Sequence, residues 1–382
     1  MKVLITSDWG KTAVNGVAAS IANLEKGLVE CGADVRILTL SPNHHSYVEG
    51  NTTYMSSINA NKIYPNARIS AIVRRKLLNK LIQWGPDIIH SQCEFSTFLM
   101  ARRISKRAGC PIVHTYHTNY EDYMRYIMLN KRLGKRTSKT IAKHISRQVD
   151  GIIAPTEKVS EMLIQYGCHS PIWVMPTGLD LEKMTLHGDD GHKAELKKSL
   201  GIAEGKKIIL YAGRIAEEKN VEELVEMLGR IRPENAIFLI VGDGPARRGV
   251  EKAIKRNNVD FAVMTGMVKP TEMRYYYSMA DVYVSASQSE TQGLTYIEAL
   301  ANGLPLLCKW DKCLQNVLVD GETGYAYANF TEFETYLKAL LNTDVSKMRE
   351  NAVKLIEENY SIKSFAEHAM KIYNTCINNR SE

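Results

Sequence analysis

The stretch that most constrains the fold of this chain covers residues 280–305. Five of its first seven residues are apolar, with β-branched and aromatic side chains among them, which predicts a buried strand. A polar turn with Glu290 follows, and the next segment, which contains Glu298, predicts a helix that Gly303 caps and Pro305 stops. This order of elements is the unit of an open α/β sheet, in which ligands bind at the carboxyl ends of the strands.

The chemistry of this turn favours a ligand with both phosphates and hydroxyls. Peptide N–H groups at the start of a helix attract an anion, and the carboxylates of Glu290 and Glu298 can accept hydrogen bonds from hydroxyls. A nucleotide sugar has both kinds of group. A surface helix with two solvated glutamates is the alternative that the spacing alone leaves open.

Length and composition predict a globular protein of about two domains, since the chain has 382 residues, of which 45% are hydrophobic and 24% charged. The sequence has no run of eighteen apolar residues, as a transmembrane helix would need, and its N-terminus lacks the basic and then apolar segments of a signal peptide. We therefore expect a cytoplasmic protein. Its seven cysteines form no CxxC pair. We therefore expect reduced, mostly buried cysteines and neither a disulfide framework nor a zinc site.

The positive charge is concentrated in the first half of the chain. Residues 1–180 carry 23 Lys and Arg against 13 Asp and Glu, whereas the remainder has a net charge of −3. A basic region of this kind indicates an anionic partner, and nucleic acid, an anionic bilayer and a polyanionic substrate are all compatible with it.

One segment of the basic half, residues 131–147, has seven cations and no acid. Five of them fall on one stripe of a predicted helix: Arg132, Arg136, Lys139, Lys143 and Arg147. Each cation near an anionic leaflet contributes about 1 kcal/mol, so several together could hold a protein at a membrane. A solvated face is an alternative, and nucleic acid is disfavoured because the neighbouring aromatic residues form no stacking platform.

The coarse secondary structure indicates parallel sheets in both halves. Strands are predicted at 2–5, 34–40, 86–90, 111–113, 151–156, 207–212, 238–241 and 263–268, with glycine turns or helices between them. Residues 44–67 are expected to be irregular, 68–84 a basic amphipathic helix, 182–205 a linker, 330–358 a helix and 362–378 a terminal helix. Neither residues 10–17 nor 242–247 carry the GxGxxG fingerprint, which argues against a bound dinucleotide cofactor.

Two further clusters of polar residues follow predicted strands. The strand at 111–113 ends in His114, His117, Glu121 and Asp122, where α/β sheets carry chemistry. A metal site would need a third protein ligand that this segment does not clearly provide, and simple packing of the two histidines is a second alternative. The loop after 207–212 carries Arg214 and Lys219, a forked donor and a point cation suited to a diphosphate. Solvated surface charges are the alternative there.

These motifs resemble those of a known family. Glu290-x7-Glu298, followed by the Ala-x-Ala-x-Gly-x-Pro pattern of 299–305, is similar to the donor-site signature of retaining GT-B glycosyltransferases, although Gln292 replaces their usual Phe. The run His-Thr-Tyr-His-Thr-x-Tyr-Glu-Asp-Tyr at 114–123 resembles diacylglycerol glucosyltransferases in particular. The resemblance covers essentially the whole chain and is weakest before residue 70.

The resemblance implies an α/β protein of the GT-B fold, with two Rossmann-like domains whose parallel sheets face an interdomain cleft. It implies an acceptor- and membrane-facing domain at 1–178, a nucleotide-sugar donor domain at 179–358, and a C-terminal helix at 359–382 that crosses back to the first domain.

The function implied is transfer of a hexose, most simply glucose from UDP-glucose, to diacylglycerol at the cytoplasmic face of the membrane, with retention of configuration. UDP-galactose, a glycosylated lipid and a soluble acceptor remain alternatives, and so does a basic adaptor with a decayed site. No cofactor is expected, and without an Asp-x-Asp motif no metal is expected either.

The resemblance also assigns the site residues. The residues expected to act in catalysis are His117, Glu290, Arg214 and Lys219. Donor binding is expected at Gly16, Gly213, Arg214, Lys219, Gly242, Gly244, Glu290, Thr291, Gln292, Gly293, Leu294 and Glu298. The acceptor or the membrane is expected to contact Asn15, Tyr120, Glu121, Asp122, Arg132, Arg136, Lys139, Lys143 and Arg147. Glu290 would hold the hydroxyls of the sugar, Glu298 the ribose, and Arg214 with Lys219 the diphosphate.

Overall fold

The computed structural model describes residues 1–10, 15–60, 67–70, 74–117, 131–185 and 190–381, without the side chains of 131–133, 135, 190 and 381. The chain forms two compact units. The first unit combines Met1–Gly178 with Ile362–Glu382, and the second unit is Leu179–Ser361.

The first unit is built on a sheet of eight strands among the described residues, in the order β10-β9-β8-β7-β1-β2-β4-β3. All neighbours pair in parallel except β3 with β4. Strands β5 and β6 form a separate antiparallel pair. The strands are β1 (Lys2–Ser7), β2 (Asp34–Leu40), β3 (Tyr47–Glu49), β4 (Thr52–Met55), β5 (Ile58–Asn59), β6 (Arg68–Ile69), β7 (Ile88–Ser91), β8 (Ile112–Thr115), β9 (Gly151–Ala154) and β10 (Ile172–Val174).

Helices cover both faces of the first sheet. They are α1 (Gly16–Glu30), α2 (Arg75–Trp84), α3 (Ser96–Ala108), α4 (Lys131–Ser146), α5 (Glu157–Tyr166) and the C-terminal helix (Ile362–Ser381). On one face α1 and the C-terminal helix pack together over Val3 and Ile5 of β1. On the other face α2 and α3 pack over Leu4 and Ile89, and α4 and α5 pack over Ile152.

The second unit has a fully parallel sheet of six strands in the order β13-β12-β11-β14-β15-β16. The strands are β11 (Lys207–Ala212), β12 (Ala236–Val241), β13 (Ala262–Gly266), β14 (Val282–Ser285), β15 (Leu306–Lys309) and β16 (Gly324–Tyr327). The helices are α6 (Leu181–Met184), α7 (Asp190–Ser199), α8 (Val221–Ile231), α9 (Arg247–Arg256), α10 (Met273–Ser278), α11 (Leu294–Ala301), α12 (Phe330–Asn342) and α13 (Ser346–Asn359), and the C-terminal helix is α14.

Both sheets have the strand order of a doubly wound fold, in which the chain leaves the first strand in one direction and returns on its other side. The order reverses between β1 and β7 in the first unit and between β11 and β14 in the second unit. Loops that follow these four strands diverge, so each sheet has a crevice at this switch point, and ligands of such sheets bind there.

Four expectations about local structure need correction. The irregular segment 44–67 contains β3 and β4, and β4 extends the sheet beside β2. The basic amphipathic helix begins only at Arg75, and 182–205 is not a simple linker because it contains α6 and α7. The predicted long helix at 330–358 is two helices, since Thr343 is extended and the Asp344 side chain accepts the backbone N–H of Ser346 in the break between them.

Candidate functional site

The turn between β14 and α11 depends on Gly293. This residue has a φ of +74° and precedes the helix, which starts at Leu294. A Cβ atom at this position would lie 2.4 Å from the ring of Tyr296, so both the backbone conformation and the space require glycine. The turn therefore holds Glu290 beyond the carboxyl end of β14, and Glu298 lies in the second turn of α11.

Glu290 is hydrogen-bonded to a lysine from the neighbouring switch-point loop. Lys219 Nζ donates to Glu290 Oε1 at 2.5 Å, and Ser287 Oγ donates to the same oxygen at 2.8 Å. The two charged side chains are 21% and 17% exposed, so the pair is partly shielded from water. Burial opposes the charge on Lys219, but the Glu290 carboxylate outweighs it and raises the pKa of the lysine.

This contact brings together two residues predicted to act in catalysis. An ammonium group has three donors, so Lys219 can keep its bond to Glu290 and still donate to a phosphate. The second oxygen of Glu290 can likewise accept a hydrogen bond from a hydroxyl. The roles predicted for Lys219 and Glu290 are therefore compatible with their observed contact.

The other predicted donor carboxylate, Glu298, accepts a hydrogen bond from Tyr277. Its Oε2 lies 2.7 Å from the hydroxyl of Tyr277 on α10. Burial raises the pKa of Glu298 to about 7, although the bond from Tyr277 favours the ionised form. The sequence analysis missed Tyr277, and the only signal for it was the tyrosine run at 275–277 that precedes β14.

The glycines of the second unit allow two loops to pack closely. A Cβ atom on Gly242 would lie 1.9 Å from the carbonyl oxygen of Gly213, and one on Gly244 would lie 2.2 Å from that of Ile215. The loop that carries Arg214 is also fixed by Tyr211, whose hydroxyl donates to the Arg214 carbonyl at 3.0 Å. These contacts explain the glycines structurally, and they leave the exposed guanidinium of Arg214 at the switch point.

In the first unit, His117 lies just beyond the carboxyl end of β8 and is half-buried. Its Nε2 is hydrogen-bonded to Oε1 of Gln92, which follows β7. Burial lowers the pKa of His117 to about 4, against the opposing effect of the nearby Glu94 carboxylate. His117 is therefore a neutral hydrogen-bonding group at physiological pH.

Asn15 and Gly16 begin helix α1. The Asn15 side chain accepts the backbone N–H of Ala18 at 2.9 Å and caps the helix, and Gly16 is its exposed first residue. Capping gives Asn15 a structural role in addition to the contact with the acceptor that was predicted for it.

The predicted cationic stripe lies on α4 and just after it. Arg136, Lys139 and Arg147 are exposed, whereas Lys143 is half-buried beside Gly167 at the end of α5. A cation at that position also stabilises the helix C-terminus. The side chain of Arg132 and all of Tyr120, Glu121 and Asp122 lie outside the described residues.

Two general properties of the described residues bear on the function. No helix in this part of the chain is long and apolar enough to cross a membrane. Within the same residues, no group of three or more His, Cys, Asp or Glu side chains has the arrangement of a metal site.

Comparison with known families agrees with this architecture. Residues 14–183 match the family model for Glycosyltransferase Family 4, and residues 192–371 match the model for Glycosyl transferases group 1. The chain therefore belongs to the GT-B glycosyltransferases.

Within that family, the chain is similar to two lipid glucosyltransferases. It is 32% identical to the alpha-monoglucosyldiacylglycerol synthase of Streptococcus pneumoniae, over 98% of this chain and 85% of the relative. It is 29% identical to the alpha-monoglucosyldiacylglycerol synthase of Acholeplasma laidlawii, over 88% of this chain and 87% of that enzyme. Among solved structures, HepE of Anabaena in complex with UDP-glucose has the same fold, with a TM-score of 0.73, 14% identity and coverage of 98% and 100% of the two chains.

Proposed function

We propose that the protein transfers glucose from UDP-glucose to the free hydroxyl of diacylglycerol, with retention of configuration, at the cytoplasmic face of the membrane. The observation that carries this proposal is the similarity to two alpha-monoglucosyldiacylglycerol synthases. The similarity extends over 98% of the chain for one of them and over 88% for the other. The contact between Lys219 and Glu290 at the switch point supports it, because the chemistry of these two side chains fits a sugar diphosphate.

In the proposed reaction, the acceptor hydroxyl oxygen bonds to the anomeric carbon as the bond from that carbon to the diphosphate oxygen breaks. The hydroxyl proton leaves with the departing UDP. Arg214 and Lys219 stabilise the negative charge that develops on the diphosphate, and this stabilisation does not require a metal. Glu290 accepts hydrogen bonds from the sugar hydroxyls, and Glu298 accepts them from the ribose.

His117 takes part in the proposed reaction as a neutral imidazole. Because its pKa is lowered to about 4, the imidazole is uncharged at physiological pH and acts through hydrogen bonds. Its ring is fixed by Gln92, so it can present its other nitrogen to a hydroxyl of the transferred sugar.

The acceptor class is supported by the charge on one face of the first unit. Helices α2, α3 and α4 all pack on this face of the sheet. They carry three, four and six Lys or Arg respectively and no Asp or Glu, whereas α5, which packs on the same face, carries one Lys and two Glu. Such a surface attracts an anionic bilayer, where a water-insoluble acceptor resides.

A transfer assay with labelled donors tests the reaction. UDP-glucose and UDP-galactose are each combined with diacylglycerol, with monoglucosyl-diacylglycerol and with a soluble sugar acceptor, and the product anomer is read by NMR. We expect an α-glucosyl product from UDP-glucose and diacylglycerol. If product formed only with another donor or another acceptor, the proposed substrates would be wrong, and the donor and acceptor that gave product would replace them.

Vesicle binding tests the location. Reversal of the exposed charges at Arg136, Lys139 and Arg147 should lower binding to phosphatidylglycerol-containing vesicles about tenfold or more, because each cation contributes about 1 kcal/mol. Lys143 is left unchanged since it also packs against α5. Reversal of Arg248, Lys252 and Lys255 on α9 is the matched control, and equal binding by the two variants would contradict the membrane assignment.

A further inference from the structure

Tyr277 is a buried residue of the second unit that the proposed reaction does not use. It lies on α10, is 1% exposed, and its hydroxyl donates to Glu298 Oε2 at 2.7 Å. Glu298 itself, in the second turn of α11, is only half-buried. The tyrosine therefore contacts the carboxylate from the interior of the unit. Because an ionised carboxylate accepts hydrogen bonds at both oxygens, this contact leaves Oε1 able to bind a ligand.

The position of the Tyr277 hydroxyl is fixed by the packing of α10. The ring of Tyr277 lies 6.4 Å from the ring of Tyr283 on β14, and both belong to one hydrophobic core. The chain just after α10 is held by Arg349 of α13, which donates to the carbonyl oxygens of Ala280 and Asp281 at 3.4 and 3.3 Å. A donor whose own side chain is held by packing can keep a ligand-binding carboxylate in one orientation.

A tyrosine hydroxyl favours the ionised form of a carboxyl group. The hydrogen bond to a carboxylate is charge-assisted, so it is stronger than the bond to a neutral carboxyl. Burial raises the pKa of Tyr277 well above its usual value, and the hydroxyl therefore keeps its proton at physiological pH. Burial of Glu298 favours its neutral form and raises its pKa to about 7, whereas the bond from Tyr277 lowers it. Ionisation of Glu298 near neutral pH thus depends on the tyrosine.

Burial and the bond from Tyr277 are the two influences on the pKa of Glu298, although other titratable groups lie on the surrounding elements. These elements contribute Arg274 of α10, Tyr211 of β11, Tyr283 of β14, Cys308 of β15, Arg349 of α13 and Lys183 of α6. Burial raises the pKa of the three groups on the strands, so they are uncharged. The lysine pairs with Asp180, and the arginine of α13 donates to backbone carbonyls.

We propose that Tyr277 is a positioning residue for the donor, and that its hydroxyl holds Glu298 in the ionised form that accepts hydrogen bonds from the ribose. The inference rests on the proposed function, which assigns the ribose to Glu298. Because its side chain is 1% exposed, Tyr277 acts through the carboxylate and not by contact with the donor. The tyrosine thereby sets the pH range over which the protein binds UDP-glucose.

Variants of the full-length protein test this role. Tyr277→Phe removes the hydroxyl and keeps the ring. Tyr276→Phe is the matched control, since Tyr276 is the preceding residue of α10, is 8% exposed and makes no hydrogen bond to the Glu298 side chain. Glu298→Gln identifies the signal of this carboxyl group. Thermal unfolding of every variant checks that it is folded.

The first measurement follows the carboxyl group itself, without a ligand. In carbon-13 NMR of protein labelled at the glutamate carboxyl carbon, the resonance that titrates near pH 7 and is absent from Glu298→Gln belongs to Glu298. We expect its midpoint to lie about one unit higher in Tyr277→Phe and to stay unchanged in Tyr276→Phe. An equal midpoint in the wild type and in folded Tyr277→Phe would overturn the proposal.

The second measurement follows donor binding. Calorimetry between about pH 6 and about pH 9 should show that wild-type affinity for UDP-glucose falls as the carboxyl becomes protonated, and that the fall occurs about one unit higher in Tyr277→Phe. The variant should then bind several-fold more weakly at about pH 7 and within about threefold of the wild type at about pH 9. A loss of equal size at every pH would overturn the proposal, because it would indicate structural damage alone.

The two measurements separate failure of this inference from failure of the proposed function. If the wild-type protein bound no UDP-glucose, the proposed function would fail, whereas a raised midpoint in Tyr277→Phe would still support the effect of the tyrosine on Glu298. If the midpoint rose but wild-type affinity for UDP-glucose did not depend on pH, Glu298 would not bind the ribose as a carboxylate. That result would overturn the positioning role of Tyr277.

Discussion

The switch points of the two sheets have the same topology but opposite polar chemistry. In the second unit, the loops after β11 and β14 contribute Lys219 and Glu290, which bond to each other at 2.5 Å. In the first unit, the loops after β1 and β7 contribute two carboxyl groups, Asp8 and Glu94, and Glu94 Oε1 lies 3.4 Å from His114 Nε2. The second unit thus pairs a cation with a carboxylate between its two loops, whereas the first unit places a carboxyl group in each of the equivalent loops.

Among the changes considered for the two switch points, removal of the Lys219 ammonium group should cause the largest loss of activity. Lys219→Met deletes a cation at the diphosphate and leaves the partly buried Glu290 without its charged donor. We expect kcat/KM to fall about a hundredfold or more, as for other lost electrostatic contacts to a developing charge. Because the two side chains are in contact, the double variant with Glu290→Gln should lose much less than the product of the single losses. Fully multiplicative losses would mean that the two residues act independently.

Arg214 should have a smaller effect, since its side chain is exposed and a contact in water is weaker than one shielded from it. Arg214→Ala should lower turnover of the UDP-sugar about tenfold or more, which is the loss expected for one charge-assisted hydrogen bond. Arg256→Ala removes an exposed arginine on α9 that pairs with Glu226 and serves as the control. Unchanged kinetics at limiting donor would refute the assignment of Arg214 to the diphosphate.

The raised pKa of Glu298 predicts a pH effect confined to the donor side. Its pKa of about 7 means that the carboxyl is ionised above this pH and protonated below it. The ionised form is the better acceptor for ribose hydroxyls, so the KM for UDP-glucose should rise several-fold as the pH falls from about 8 to about 6. In Glu298→Gln this dependence should be absent. A wild-type KM that is constant over this range would exclude Glu298 as a ribose acceptor.

Stability measurements test the partly buried pair of the second unit. Glu290→Met removes the partner of Lys219 and should lower the stability of the second unit by about 1 kcal/mol. Scanning calorimetry of the variant measures this shift, and an unchanged melting temperature would mean that the pair contributes nothing to stability.

A chelator should have the smallest effect. If Arg214 and Lys219 neutralise the diphosphate, EDTA should leave the rate of transfer unchanged within error. The assay is run with and without added Mg²⁺ or Mn²⁺, on protein that was first dialysed against the chelator. Activity that is lost on dialysis and restored by either metal would transfer this role from the two cations to a bound ion.

The sequence was informative where the fold depends on local patterns. Continuous apolar runs predicted the central parallel strands, and Gly293 with Gly303 marked the limits of α11, because strand burial and left-handed glycines leave a signal within a few residues. The family motifs also placed Arg214, Lys219 and Glu290 in loops that the structure brings to one switch point.

The features of the fold and the site that the sequence did not predict depend on contacts between distant parts of the chain. Strand β4 is short and polar, and only pairing with β2 identifies it as part of the sheet. The bond between Tyr277 and Glu298 joins residues on two different helices. Asp8 and Glu94 lie 86 positions apart in the sequence, and no local pattern indicates that both carboxylates face the same crevice. Sheet topology, which periodicity does not specify, brings the two loops together.

The C-terminal helix α14 determines the order in which the two units can complete their folding during synthesis. Its residues Phe365, Ile372 and Tyr373 belong to the core of the first unit, and Gly27 of α1 packs so closely against it that a Cβ atom there would lie 2.7 Å from the side chain of Ile362. On the ribosome, residues 1–178 emerge first but lack this helix until residues 362–381 have left the exit tunnel. The second unit is complete earlier, so the half of the protein that is made first is the last to finish folding.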